Sequence, residues 1–383
     1  MVVRDRQQLA QLLDERMNNT YSSLTDEQEL EPGSSLLKSY LLEAHRPPSR
    51  QAVLSDTLRD LLPAIPRASV NVFPADETSL ATVEVESADQ RMSLYVDSTN
   101  ARYWVVHSLG ESTAVDSVIT RIVSHSTALD RAWLPADFLR RVADMGAFRG
   151  LGLDYDRRLI PDVDFEAPDA PVESLKMQLW GNKAADILSL LQRHDAFPSE
   201  TTLSKVKVKY WQDRGVPEYF AVDDVKFDGK ITARGTSFQS HSELLGAISD
   251  MYAHQVTLIE DSHRIASEAY GDAFTLAGEP VALQLSRPIP DLDVFCDSLF
   301  SCGPPFRLWG VPISSRTGQR VVHALDLHVG QPLHVEINPT RITLYLPSGV
   351  CGNTVLRFYT NLQHHYDARV QAVGSGGHPI FEF

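Results

Sequence analysis

The feature that most constrains this 383-residue chain is an order of elements that occurs twice in its C-terminal half. "LKMQLW" (175–180) alternates as a strand does, and Ala184, Ala185, Ile187, Leu188 and Leu191 then mark a short helix. "LSKVKVKYW" (203–211), "EYFAVDDVKF" (218–227) and "KITARG" (230–235) read as strands. From Ser240, apolar residues at near-helical spacing predict a long helix reaching Tyr270, with Gly271 as its stop. The second copy starts at "VALQLS" (281–286) and continues with a short helix over 290–300. Strands follow at 320–329, 333–338 and 341–346, and a helix over 353–370 closes the copy. Antiparallel strands bracketed by amphipathic helices bury one sheet face under the helices and leave the other to water. The expectation is an α+β fold, with antiparallel sheets carrying helices on one face.

The N-terminal half divides less sharply. A helix is expected over 3–17, and two short helices near 35–45 and 50–62, giving a helical N-terminal segment over 1–65. Residues 66–159 form an α+β domain. Its strands are "SLATVEVES", "RMSLYVD" and "RYWVVHS", its helices lie near 113–126 and 135–145, and "FRGLGLDYD" is a further strand. The strand-to-helix end of this domain is a candidate third, diverged copy of the repeat. "IPDVDFEAPDAPVE" (160–173) holds three prolines and a run of acids without a basic residue, which is linker chemistry. The repeats then occupy 174–271 and 279–371, followed by a tail over 372–383.

Within the first repeat, "VKFDGKITARGT" reads as a hairpin turning at Asp228-Gly229. Together with the element order, Phe227, Gly229, Lys230 and Gly235 resemble the apolar-x-Phe-x-x-Gly-Lys strand pair of the TATA-box-binding protein family. The resemblance covers 174–371 and implies two (or, with the first domain, three) saddle-forming repeats, helices on the convex side and an open sheet on the concave side. The second copy carries Pro339 at the corresponding turn. The DNA-kinking phenylalanine pairs of that family are not assigned to positions here, so TATA-box recognition is not implied.

Alternation puts Val206, Val208, Tyr210, Val225, Phe227, Ile231 and Ala233 on the covered face of this repeat. Lys205, Lys207, Lys209, Lys226, Lys230 and Arg234 fall on the other face. A net charge of −15 argues against a nucleic-acid-binding surface over the whole protein. A local cluster of cations is still suited to phosphate. These six residues are therefore the candidate nucleic-acid or anion-binding set, with a solvated, edge-protecting face as the plainer reading. The last repeat is expected to present Asp326, His328, His334, Glu336, Arg341, Thr343 and Tyr345 to water. The first domain presents Glu84, Glu86 and Asp97.

Catalytic signals are weak. "DVK" and "DGK" (224–230) match the short Asp-x-Lys element of metal-dependent nucleases, but the second is explained by the turn. Ser237, Ser240 and His241 open the long helix without a Gly-x-Ser-x-Gly elbow, and Ser240 with Glu243 fits a capping box. His364 and His365 are adjacent on a helix and point apart. No phosphate-binding loop, dinucleotide fingerprint or Cys-x-x-Cys pair occurs. No catalytic residue, metal ligand or cofactor is assigned. Cys296, Cys302 and Cys351 read as small core residues in a reducing compartment. The charged N-terminus lacks a signal-peptide core, and no apolar run approaches the ~18 residues of a membrane span. The expected protein is a cytoplasmic, non-catalytic binding subunit whose open sheet face engages a partner, with nucleic acid the candidate partner through the local basic residues. The alternatives are a protein-interaction adaptor in a larger assembly and, third, a metal-dependent nuclease.

Overall fold

The computed structural model describes residues 1–27, 36–45, 58, 68–86, 91–157, 159, 174–181, 183–194, 200–270 and 273–381. The expected helix at 50–62, apart from Leu58, and the expected linker at 160–173 lie outside them. The architecture is α+β, with antiparallel sheets and seven helices among the described residues. No described helix is long and apolar enough to cross a membrane. The chain divides into two compact units. One comprises Met1–Ala132, Val142–Arg149 and Val206–Asp250, the other Trp133–Arg141, Gly150–Lys205 and Met251–Phe383.

The first unit holds helix α1 (Arg6–Glu27), strands β1 (Leu37–Ala44), β2 (Ser69–Pro74), β3 (Leu80–Glu86), β4 (Arg91–Asp97) and β5 (Tyr103–Ser108), helix α2 (Ser112–His125) and strand β6 (Leu129–Arg131). Helix α3 (Ala136–Asp144) and strands β7 (Ala147–Asp156), β8 (Ser174–Trp180) and β9 (Leu203–Tyr210) follow in the chain, with helix α4 (Ala184–Arg193) between the last two. Strands β10 (Ala221–Lys226) and β11 (Lys230–Gly235) and the start of helix α5 (Phe238–His263) complete this unit. Its strands run in the order β2-β3-β4-β5-β1-β11-β10-β9.

Residues 37–44 correct the expected helix near 35–45: they are β1, an interior strand. The reason is burial on both faces. Tyr40 and Leu42 pack with Val115, Ile119 and Ile122 of α2. Leu37, on the opposite face, packs with Leu9, Leu13 and Met17 of α1. All eight residues of β1 are buried, so the strand carries no alternation, and Leu37, Tyr40, Leu41 and Ala44 imitate a helical stripe.

The β10–β11 hairpin forms as expected, but its loop is Phe227-Asp228-Gly229. Val225 pairs with Ile231, and the Gly229 N–H donates to the Lys226 carbonyl at 3.1 Å. The odd loop length keeps odd-numbered residues of both strands on one face. Gly229 is required: its φ is +74°, and a Cβ there would lie 2.8 Å from the Ala132 carbonyl oxygen and 2.9 Å from that of Leu41.

In the second unit, strands β12 (Arg264–Tyr270), β13 (Ala273–Ala277), β15 (Leu308–Ser314), β16 (Arg320–Asp326), β17 (Gln331–Asn338) and β18 (Arg341–Pro347) form a sheet ordered β13-β12-β18-β17-β16-β15. Strand β14 (Val281–Gln284) pairs with β18 and with β19 (Gln371–Val373). The β12–β18 pair is parallel, and the β12–β13, β15–β16, β16–β17 and β17–β18 pairs are antiparallel. Helices α6 (Leu292–Leu299) and α7 (Asn353–His365) belong here, and α7 is buried along its whole length. Val322, Leu333, Val335, Ile337, Ile342 and Leu344 form the covered side of the sheet.

Three expected boundaries change. Helix α5 stops at His263, and 264–270 is strand β12, whose partners are β13 and β18. The cap of α5 is Ser237, whose Oγ accepts from the Ser240 N–H at 3.1 Å; Ser240 itself lies inside the helix. Helix α7 ends at His365, short of the expected 370, and the Nδ1 atoms of His364 and His365 lie 2.8 and 3.1 Å from the carbonyl oxygens of Asp154 and Asp156.

Candidate functional site

The six predicted cations do not form one open face. Lys207 and Lys230 are 9% and 7% exposed. Lys207 pairs with Asp224 at 3.3 Å, which also engages the acid of the Asp-x-Lys element. Lys230 donates to Asp116 at 2.6 Å and to Ser112 Oγ at 2.8 Å, both on α2. Helix α2 therefore covers part of the surface that alternation assigned to water. The Lys209 ammonium lies 3.6 Å from the Phe220 ring centre, and burial pushes its pKa down. Lys205 lies 5.0 Å from the Trp180 ring centre. Lys226 and Arg234 are half-buried.

The open face of the second sheet is set by register. Val311 pairs with His323, His323 with His334, and His334 with Tyr345. On one side of this row lie Trp309, Leu325 and Pro332, on the other Ile313, Val321, Glu336 and Thr343. Trp309, Val311 and Ile313 are 50%, 63% and 56% exposed. His323 and His334 are also exposed, with their Nδ1 atoms 2.7 Å apart, and Tyr345 donates to Glu336 at 3.2 Å. At the rim Arg320 is held by both oxygens of Asp293, at 2.6 and 2.9 Å.

His334, Glu336, Arg341 and Tyr345 are at least partly exposed, as expected, while Thr343 is 9% exposed. Asp326 and His328 are fully buried, contrary to expectation. The cause is parity: Asp326 pairs with Gln331, so His334 shares its face with odd-numbered His323 on β16. Strand β15 was not anticipated because Gly310 and Pro312 break the strand signature. The alternating apolar residues Trp309, Val311 and Ile313 were the signal that could have found it.

A second constellation lies in the first unit. Ser39 of β1 pairs across the sheet with His107 of β5. The Ser39 Oγ lies 2.7 Å from His107 Nδ1 and 2.8 Å from His241 Nε2. His241 Nδ1 lies 2.9 Å from Asp223 Oδ1. Ser39, His241 and Asp223 have the bonding order of a nucleophile–base–acid triad. All three are 0% exposed, and the hydroxyl is held between two imidazoles, so no substrate reaches it in this arrangement. Burial first, and then His241, pushes the His107 pKa down to about 3; burial raises that of Asp223. Of these four only His241 stands out in the sequence, at the start of the long helix, since pairing across β1, β5 and β10 leaves no local motif.

Residues 1–378 match the family model described as MJECL33-like protein, and the chain belongs to that family. A relative from Methanocaldococcus jannaschii, named as the uncharacterized protein MJECL33, is 25% identical over 402 residues, covering 96% of this chain and 93% of the relative.

Proposed function

We propose that the chain is a non-catalytic binding protein that engages a protein partner through the open face of its second sheet. The observation that carries this reading is the row Trp309, Val311 and Ile313, each at least half exposed on one strand. Exposed apolar side chains grouped on a flat surface are typical of interaction sites, and Trp is prominent among the residues that anchor interfaces. The neighbouring His323, His334 and Tyr345 extend the surface with groups that combine an apolar body and a polar tip. Arg320, at its rim, is already engaged by Asp293, and Arg341 shares the face of Thr343 and Tyr345. A net charge of −15 favours a partner whose apolar patch sits in basic surroundings. The three free cysteines fit a cytoplasmic, reducing setting.

The test is site-specific photocrosslinking from position 313 in cells that produce the protein. The expected result is one protein adduct of fixed mass that disappears when Val311→Asp is added. Adducts to nucleic acid, or only to a second copy of the chain, would overturn the reading. Fluorescence anisotropy of labelled DNA and RNA at low and physiological salt tests the nucleic-acid alternative directly. Micromolar, salt-steep binding that Lys226→Glu with Arg234→Glu abolishes would move the function to the basic residues.

A further inference from the structure

The first unit contains a cleft of about 730 Å³ that the docking surface does not use. This is the size range of sites for small ligands. His107 forms part of its wall, beside Phe238, Tyr219, Leu9 and Val216. His107 is 5% exposed, with Nδ1 turned to Ser39. Its Nε2 has no hydrogen-bond partner among the described residues and is left for an occupant of the cleft to satisfy.

The buried network decides what that atom offers. The Ser39 hydroxyl has one proton and two imidazole neighbours, so one imidazole must donate to its oxygen and the other must accept its proton. If His241 and Asp223 together held no extra proton, the network would carry a net negative charge with no exposure to water. Among the described residues Asp223 Oδ2 has no hydrogen-bond partner to offset that charge. A proton shared between His241 and Asp223 makes the pair neutral, which burial strongly favours. His241 Nε2–H then donates to Ser39, Ser39 donates to His107 Nδ1, and the remaining His107 proton sits on Nε2, facing the cleft.

The rest of the wall narrows the ligand. Among the described residues its carboxylates are Asp14, Asp97 and Asp213, and its one cation, Arg6, is held by Asp97 at 2.9 and 3.0 Å. The balance excludes an anion. The Phe238 and Tyr219 rings offer flat apolar surface. We propose that the cleft binds an uncharged, flat molecule bearing a hydrogen-bond acceptor, such as an amide-substituted heteroaromatic ring, which accepts from His107 Nε2–H. His107 is the binding residue; Ser39, His241 and Asp223 are positioning residues that hold its tautomer.

The test uses the full chain with nicotinamide as the probe and nicotinate as its anionic counterpart. Saturation-transfer NMR should show binding of nicotinamide and at least tenfold weaker binding of nicotinate. His107→Phe should weaken nicotinamide at least tenfold while the thermal midpoint remains cooperative. A readout on the unaltered protein guards against a variant that fails to fold. In ¹⁵N NMR at neutral pH, the His107 Nε2 should be protonated and should shift on nicotinamide addition, and Ser39→Ala should redistribute the His107 tautomers. No nicotinamide binding, equal binding of nicotinate, or an unprotonated Nε2 would each overturn the proposal.

Discussion

The buried ion pair of the second unit gives the sharpest stability prediction. Arg357 on α7 and Asp326 at the end of β16 are both 0% exposed. One Asp326 oxygen accepts from Arg357 Nη2 and, at 2.9 Å, from the His328 N–H. The other accepts from Thr354, and Arg357 Nε donates to the Phe306 carbonyl at 2.8 Å. Arg357→Met keeps an unbranched stem but leaves a buried carboxylate without its cation and a carbonyl without its donor. Breaking a buried pair from one side costs about 3–5 kcal/mol. In a unit of this size that corresponds to a drop in melting temperature of roughly 10 °C.

Asp326→Asn should cost a similar amount, because it leaves the guanidinium uncompensated. The double variant removes both charges and should recover about 2 kcal/mol relative to Arg357→Met, since neighbouring substitutions that share a network are not additive. Differential scanning fluorimetry measures the shifts. Hydrogen exchange followed by mass spectrometry places the loss, with protection falling first in α7 and in β16. A loss below about 1 kcal/mol for Arg357→Met would refute the argument, because it would mean that the pair is solvated in solution.

Two further predictions concern titration in the first unit. The His107 pKa is depressed, so the folded state binds fewer protons than the unfolded chain between about pH 6.5 and pH 3. Stability is therefore complete above the unfolded value and is lost as pH falls through that window. At pH 5 the single-site linkage amounts to about 2 kcal/mol, and His107→Gln should flatten the acid limb of a urea-denaturation series between pH 7 and 5 by that amount. Burial, and then Lys230, depresses Lys38 to about 8, while its ammonium donates to the Leu36 and Gly110 carbonyls at 2.7 and 2.6 Å. Between that value and about 10.4 the unfolded chain binds more protons, so this residue makes stability rise with pH. Lys38→Met should remove the rise, and an identical slope from pH 8 to 10 in the variant would refute the assignment.

What the sequence revealed follows how each element is solvated. β9–β11 and β16–β18 pack one face against apolar neighbours and leave polar residues on the other, and their alternation located them. β1 is covered by α1 on one face and α2 on the other, so its period vanished and its apolar spacing suggested a helix. Partners from other elements also explain Lys207 and Lys230. Alternation told correctly that they point away from Val206 and Ile231, but not that an acid on β10 and another on α2 wait there. β15 went unseen for the opposite reason: Gly310 and Pro312 suppress the strand signal where Trp309, Val311 and Ile313 are most exposed. The Ser39–His107–His241–Asp223 network depends on register among three strands and the first turn of a helix, four positions spread over 203 residues from 39 to 241. Local periodicity reports solvent on either side of one element. It is silent about what a distant element brings to that side, and both candidate surfaces of this protein are defined by such distant pairings.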